Sequence, residues 1–570
     1  MALSRRNFLK AGSMLGIPIL LPGHAKAANP DQLEEGSENT IPKPYFPSPE
    51  VIALNRMALG PRPGDVERVK KMGLTAYIEE QLHPDPQDDK EVQKRLVQLQ
   101  LDIKYDAGAK YKAVDEVRPL TALNKSLQEL WPQMTNVYDT NYSEWIRPAS
   151  EVIVATWIKG VYSKWQLQEV MTEFWHHHFN VNMGENAGVS ITFPSYDRDV
   201  IRKHSFGNFR EFLEAVAKST AMLYYLNNKS SKASPANENY ARELFELHTL
   251  GAENYYNHLY NKWRDVPGAM DGNPIGYIDQ DVYEASRAFT GWTVADGGRT
   301  WKGDETLPNT GEFFYLDAWH DDYQKRVLGV EFEPNQPPMA DGRKVLDLLA
   351  KHPGTAKHLC RKLCQRLVAD TPPPALVERV TKVWIENYEA PDQIKKVVRE
   401  ILNSPEFAST FGGKVKRPFE LICSFVRATE AEFTPNMGFV WGWASAGYAM
   451  FRWPTPLGPP DHMAYWVSTD VMAGKWKSLN NYLAWKNNPM VRVALISKTP
   501  NSVDTPRKVV AYWADRIYHR KIHPEHMEMY VQYLADGQDQ DDAAAMETDY
   551  STKLEHIVEL MCMSPDFQYR

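Results

Sequence analysis

Between Trp165 and His178 the apolar side chains Leu167, Val170, Met171 and Phe174, with His178, recur on one face of a 3.6-residue spiral. That period predicts an amphipathic helix. A similar pattern starts at Ser48-Pro49-Glu50 and runs through Leu54, Met57 and Leu59. Asp65 then leads Val66, Val69 and, across Gly73, Tyr77-Ile78. The mixed, charged residues 84–150 predict helices with long excursions. Residues 252–280 and 294–320 are rich in Gly, Asp, Asn and aromatics, and predict long loops with a hairpin. Loops of that length in a compact protein are functional or mobile.

The C-terminal third repeats itself. Ile394, Val397, Val398, Ile401 and Leu402, followed by Ser404-Pro405-Glu406-Phe407, recur as Leu554, Ile557, Val558, Met561 and Cys562, followed by Ser564-Pro565-Asp566-Phe567. Each copy is an amphipathic helix closed by a Ser-Pro step, because proline disfavours the helical conformation in the residue before it. Another helical pattern precedes each copy, Thr355 to Ala369 and Thr505 to Tyr518, with proline breaks at 372–374 and at Pro524. The predicted fold is mainly α, a large multi-helical body with long aromatic-rich loops and a duplicated C-terminal helical unit. Its expected organisation is a leader over 1–27, a linker over 28–47, a helical core region with the candidate site over 48–410, and a C-terminal helical region packed on that core over 411–570.

Charge narrows the partners. With 65 Lys+Arg against 73 Asp+Glu the net charge is −8, and no basic block offers a nucleic-acid footprint. Beyond the leader no apolar run approaches the ~20 residues that span a bilayer, so no stable membrane insertion is expected. Cys360 and Cys364 sit one turn apart on a helical pattern, where their Cβ atoms are poorly placed to bridge. They and the remote Cys423 and Cys562 are expected to be buried thiols.

The N-terminus reads as an export leader. Ser4-Arg5-Arg6-Asn7-Phe8-Leu9-Lys10 precedes an apolar run, Ala11 to Leu21, and a small-residue site, Ala25-Lys26-Ala27. The stretch resembles the twin-arginine signature at every position. That resemblance implies a periplasmic or secreted protein delivered, already folded, by the twin-arginine export machinery.

Four clusters could carry chemistry. In Glu173-Phe174-Trp175-His176-His177-His178, Glu173, His176 and His177 share a helical stripe, and Glu-x-x-His is a spacing that offers two ligands to one ion. His176 and His178 share a face only in extended chain, so a helix unwinding near His178, before Gly184, reconciles the two readings. In Asn237-Glu238-Asn239-Tyr240-Ala241-Arg242-Glu243-Leu244-Phe245-Glu246, Glu243 and Glu246 could meet one cation. Arg242 could equally bind both Glu238 and Glu246 as i,i+4 pairs. Tyr240, Leu244 and Leu247 would be its core stripe, and Gly251 its C-cap. Asp281 and Glu284 have the spacing of a helix N-cap and its N3 partner. His320-Asp321-Asp322 is either a ligand loop or a polar turn. No phosphate cradle, nucleophile elbow or paired-cysteine zinc site is present in the sequence.

These segments, in this order, resemble the bacterial family called domain of unknown function 1800. The matching stretches are Asn55-Arg56-x-x-x-Gly60-Pro61, Phe174-Trp175-His176-x-His178-Phe179, Asn237 to Leu244, Ala288-Phe289-Thr290-Gly291-Trp292, His320-Asp321-x-x-x-Lys325 and Lys416-x-Pro418-Phe419-Glu420. The resemblance implies an exported protein, often encoded beside a sulfatase-like exported partner. It carries no activity. The family pattern varies between His176 and His178 and accepts an aromatic at position 248, which speaks against His177 and His248 as ligands. Insertions near 100–145 and 255–275 depart from that pattern.

The leading expectation is an exported metal-dependent enzyme of unknown substrate, an oxidoreductase ahead of a hydrolase. Glu173, His176 and His178 would hold the ion, with Glu243 and Glu246 completing or supporting the site. Mixed nitrogen and oxygen donors suit iron, copper, zinc or manganese alike. The alternative is a non-catalytic glycan- or protein-binding partner of another exported protein, in which the same groups form a structural network. A third class is metal-assisted hydrolysis of glycans.

Overall fold

The computed structural model describes residues 45–300, 305–445, 447–484, 490–543 and 550–570. The expected twin-arginine leader and residues 28–44 of the expected linker lie outside the described residues. The rest is mainly α, with four two-stranded antiparallel sheets among the described residues. Residues 45–570 form one compact unit.

A nearly all-buried helix, Arg147–Tyr162, runs through its middle, with Val152, Ile153, Trp157, Ile158 and Val161 at 2 % exposure or less. The helix Pro418–Thr429 packs along it, and Phe419 meets Trp157 edge to face at 4.8 Å. The histidine helix, Gln166–His178, follows after the break at Ser163, Lys164 and Trp165. Gly73, at φ +87°, separates the helices Asp65–Met72 and Leu74–Gln81, a backbone that favours glycine.

The repeat is built as its pattern predicts, and extends further. Helices Pro353–Leu367, Pro374–Glu386, Gln393–Leu402 and Pro405–Ser409 are matched in order by Pro506–Tyr518, Pro524–Ala535, Tyr550–Met563 and Pro565–Gln568. Of the prolines read as breaks, Pro374 and Pro524 open the next helix, where their missing N–H costs nothing. Both apolar stripes are buried to 1 % exposure or less. In each copy the serine hydroxyl donates back to the helix end, Ser404 to Ile401 O and Ser564 to Met561 O, both at 2.7 Å.

Two local expectations are corrected, and the expected hairpin is found. Residues 84–150 hold, besides helices, a hairpin pairing Gln100–Tyr105 with Val114–Pro119. Its only inward side chains on the first strand are Leu101 and Ile103, too short an alternation to stand out. The helix after Tyr277 begins at Asp279, with Ile278 as its N-cap, so Asp281 is the N3 residue. Its carboxylate accepts from Ile278 N at 3.0 Å and from Leu328 N at 2.7 Å, while Glu284 pairs with Arg287. The expected hairpin is Trp292–Asp296 with Asn309–Tyr315, and residues 252–278 are a chain of short 3₁₀ turns. All four cysteines are buried and free.

Lys416 gives a pH test of this core. It is 3 % exposed, with its ammonium 3.7 Å from the centroid of the Phe567 ring, and burial lowers its pKa to about 7. The unfolded chain therefore binds one more proton between about pH 7 and 10.5, and this lysine's contribution to stability rises as pH rises through that window. Lys416→Met keeps the apolar stem. Between pH 7 and 9 the wild type should gain on the variant by about 2 kcal/mol, measured by urea unfolding. Parallel pH profiles would show that Lys416 is charged when folded.

Candidate functional site

The histidine helix stays helical through His178, so its acidic and imidazole groups point in different directions. Glu173 faces the core at 3 % exposure. Its Oε2 accepts from Arg366 Nη2 and Arg417 Nη2, both at 2.7 Å, and its Oε1 accepts from the Tyr448 hydroxyl at 2.8 Å. Behind it, Glu420 Oε1 accepts from Arg366 Nη1 at 2.6 Å, Arg417 Nη2 at 3.0 Å and Arg570 Nη2 at 2.7 Å. Glu420 Oε2 caps its own helix through Arg417 N at 2.8 Å. Arg56 reaches the same cluster by donating to Arg570 O at 2.7 Å. Three guanidinium groups hold the Glu420 carboxyl far below its usual range against the penalty of burial.

His176 turns the other way. Its Nε2 lies 2.9 Å from Asp197 Oδ1, and Arg202 bridges Asp197 to Glu169 with two 2.9 Å contacts. Arg202 is the strongest force holding Asp197 ionised. His178 spends both ring nitrogens: Nδ1 accepts from Lys362 Nζ at 2.9 Å, and Nε2 donates to His248 O at 3.2 Å. Burial and the Lys362 charge keep its pKa well below the usual imidazole value. His177, half-buried, accepts from Arg417 Nη1 at 3.1 Å. The loop over this helix end approaches so closely that a Cβ on Gly458, at φ +73°, would stand 2.2 Å from His177 O.

The remaining two carboxylates stand apart from these networks. Glu243 ends the helix Glu238–Glu243, and the chain continues as a π-helical turn, Leu244–His248. The wider turn rotates the pattern, so Phe245 and His248 are buried and Leu247, expected in the core, is only half-buried. π-turns of this kind recur at functional sites. Gly251, at φ +87°, closes the turn with its N–H on Phe245 O at 3.1 Å. Arg242 pairs with Glu238 at 3.1 Å as expected, but its other contacts are Asp279 at 3.3 Å and the Tyr255 hydroxyl at 3.5 Å, not Glu246. Neither Glu243 nor Glu246 has a hydrogen-bond or ion-pair partner among the described residues. Burial and the neighbouring Glu246 push the Glu243 pKa up to about 7. The hydroxyl of Tyr277, whose pKa the Glu246 charge helps to raise, is buried without a partner.

The five residues expected to share a metal thus fall into separate sets: Glu173 among arginines, His176 on Asp197, His178 on Lys362, and Glu243 beside Glu246. Among the described residues no three His, Cys, Asp or Glu side chains are grouped around a common point fit for a metal ion. A cation beside Glu173 would share its carboxylate with two guanidinium groups, which does not fit. The Glu243–Glu246 pair does fit one, since two neighbouring carboxylates offset only by the adjacent Arg242 charge favour a shared proton or cation.

The His320-Asp321 stretch is a polar clasp. His320 Nδ1 donates to Thr290 O at 2.9 Å, Asp321 grips Arg287 at 2.8 and 2.9 Å, and Lys325 donates to Asp341 at 2.7 Å. It ties the turn after the 279–288 helix to the following hairpin and the helix Ala340–Lys351. A family model described as "Protein of unknown function (DUF1800)" matches residues 52–569. The chain belongs to this family. No curated protein and no solved structure matches it.

Most of the family motifs meet in these networks. Arg56 and Glu420 come from two of the matching stretches and share one cluster with Glu173; Thr290, His320, Asp321 and Lys325 come from two more and share the clasp. Arg366, Tyr448, Asp197 and Arg202 carry much of this electrostatics and were not singled out in the sequence. Asp197 and Arg202 pair across five residues of the π-helical stretch Tyr196–Arg202, and the other partners lie 21 to 275 residues along the chain. No helix of the described residues is long and apolar enough to cross a membrane.

Proposed function

We propose that this DUF1800 protein is an exported, metal-dependent enzyme whose reacting centre lies on the Glu243–Glu246 turn. The observation that carries the reading is the unpartnered carboxylate pair. The acids of the matching stretches that lie in the core, Asp321 and Glu420, are ion-paired, and a half-buried pair left alone, with the Glu243 pKa raised, marks a group with a task outside the fold. Glu243 and Glu246 would hold the ion. An oxygen-donor pair without thiolate suits manganese, iron or zinc, and the bound ion would supply Lewis acidity or electron transfer. Before an ion binds, Glu243 shares its proton with solution near neutral pH, so it can give up that proton as the cation enters.

The saturated arginine and histidine networks favour a second reading, a non-catalytic partner of another exported protein such as the sulfatase-like family. One preparation separates the two. Protein collected from the periplasm, where the twin-arginine leader should deliver it, is expected to carry near-stoichiometric metal by elemental analysis. Glu243→Gln/Glu246→Gln should lose at least nine-tenths of that metal while keeping the wild-type unfolding midpoint within a few degrees. Equal metal in both proteins would move the site elsewhere. Metal-free wild-type protein would leave the partner reading standing. Redox spectroscopy of the loaded protein then separates an oxidoreductase from a metal-assisted glycan hydrolase.

A further inference from the structure

A pocket lies away from that turn, in the segment 105–151, which overlaps the insertion near 100–145. Its volume is about 440 Å³, within the range of small-molecule sites. Three half-buried rings, Tyr105, Tyr111 and Trp145, line it. Tyr105 and Tyr111 meet edge to face at 5.6 Å, and Trp145 is braced by Tyr142 at 4.5 Å, so the rings are held by one another. Between them stand side chains that both donate and accept: Gln133, Asn136, Thr121 and Thr140. The floor holds Glu151, whose side chain is 1 % exposed. Its Oε2 accepts from Ala122 N at 2.6 Å, and its Oε1 lies 3.4 Å from Arg147 Nε, which has no hydrogen-bond partner.

The charges of the pocket cancel. Lys125 and Arg147 face Glu144 and Glu151, Glu144 is already held by Arg118 at 2.9 Å, and Arg147 stands beside Glu151. With those pairs made, a cationic ligand would find no free carboxylate and an anionic one only the half-buried Lys125, while a purely apolar ligand would strand the amides and the carboxylate. Ring faces between amide and hydroxyl groups suit a ligand with apolar C–H faces and a rim of hydroxyls. We propose that this pocket binds a neutral saccharide unit, stacked on Tyr111 and Trp145 and hydrogen-bonded by Gln133 and Asn136. Glu151 and Arg147 present a buried acceptor and donor for one inward hydroxyl. The site stands whether or not the Glu243–Glu246 turn holds metal, because the two share no residue.

The test uses the whole protein with cellobiose, maltose and N,N′-diacetylchitobiose as probes, and galacturonate and glucosamine 6-sulfate as charged comparators. Saturation-transfer NMR finds binders, and titration calorimetry measures them. At least one neutral disaccharide should bind more tightly than either charged sugar. Its affinity should fall at least tenfold in Tyr111→Ala and in Gln133→Ala, both on the rim of the pocket and away from the core. Trp145→Ala should do the same if its circular dichroism matches the wild type. Failure of all three neutral sugars to bind overturns the proposal. So does tighter binding of a charged comparator, or undiminished binding by the Tyr111 and Gln133 variants.

Discussion

Glu420→Ala should destabilise the protein by about 3–5 kcal/mol, enough to consume a large share of the total stability of a typical fold. The carboxylate is 1 % exposed and takes hydrogen bonds from Arg366, Arg417 and Arg570. Removing it leaves three buried guanidinium groups with only Glu173, and Asp461 further off, to compensate them. The cost comes from the stranded charges and not from the intrinsic worth of the pairs, since a buried ion pair barely repays its desolvation. Glu173→Ala should behave alike, because its carboxylate accepts from two arginines and from Tyr448. Chemical denaturation measures both, with the slope against denaturant unchanged. A loss under 1 kcal/mol for either variant would show that water or rearranged arginines replace the carboxylate, and that the cluster does not hold the motifs together.

That cluster also marks where the sequence stops being informative. The helix carrying Glu173 was legible from Val170, Met171 and Phe174, because burial of one face needs only local periodicity. Whether Glu173 meets a metal or an arginine was not, since Arg366, Arg417 and Tyr448 lie 193, 244 and 275 residues away. His176 and His178 show the same gap: the helix decides that they diverge, but Asp197 and Lys362 decide what each one does. The alternative pairing of Glu246 with Arg242 failed for a different reason. An i,i+4 pair with Arg242 presumes an α-helix, and the π-turn at Leu244–His248 begins just where that presumption is needed. Its nearest sequence sign is Gly251, which was legible as a terminator.

The repeat makes the last large prediction, and its two copies serve as controls for one another. Val397 and Ile557 occupy equivalent places, each at 0 % exposure in a fully buried stripe. Val397→Asp and Ile557→Asp should each cost on the order of 4 kcal/mol, through lost apolar burial together with a carboxylate that no nearby cation reaches. Stability alone would not show that the units are related. Equivalence is tested at the solvent face, where Leu560 is 43 % exposed and the corresponding residue of the first copy is Glu400. If the copies share a geometry, Leu560→Glu installs what the first copy already carries and should leave stability within about 0.5 kcal/mol. A severe loss there, or an Ile557→Asp variant that unfolds no more readily than wild type, would mean that the second copy packs differently from the first. Urea unfolding of the three variants, with retained helical circular dichroism as the check on folding, gives the answer. The contrast between positions 557 and 560, three residues apart on one helix, isolates burial from helix propensity, because a carboxylate is introduced at both.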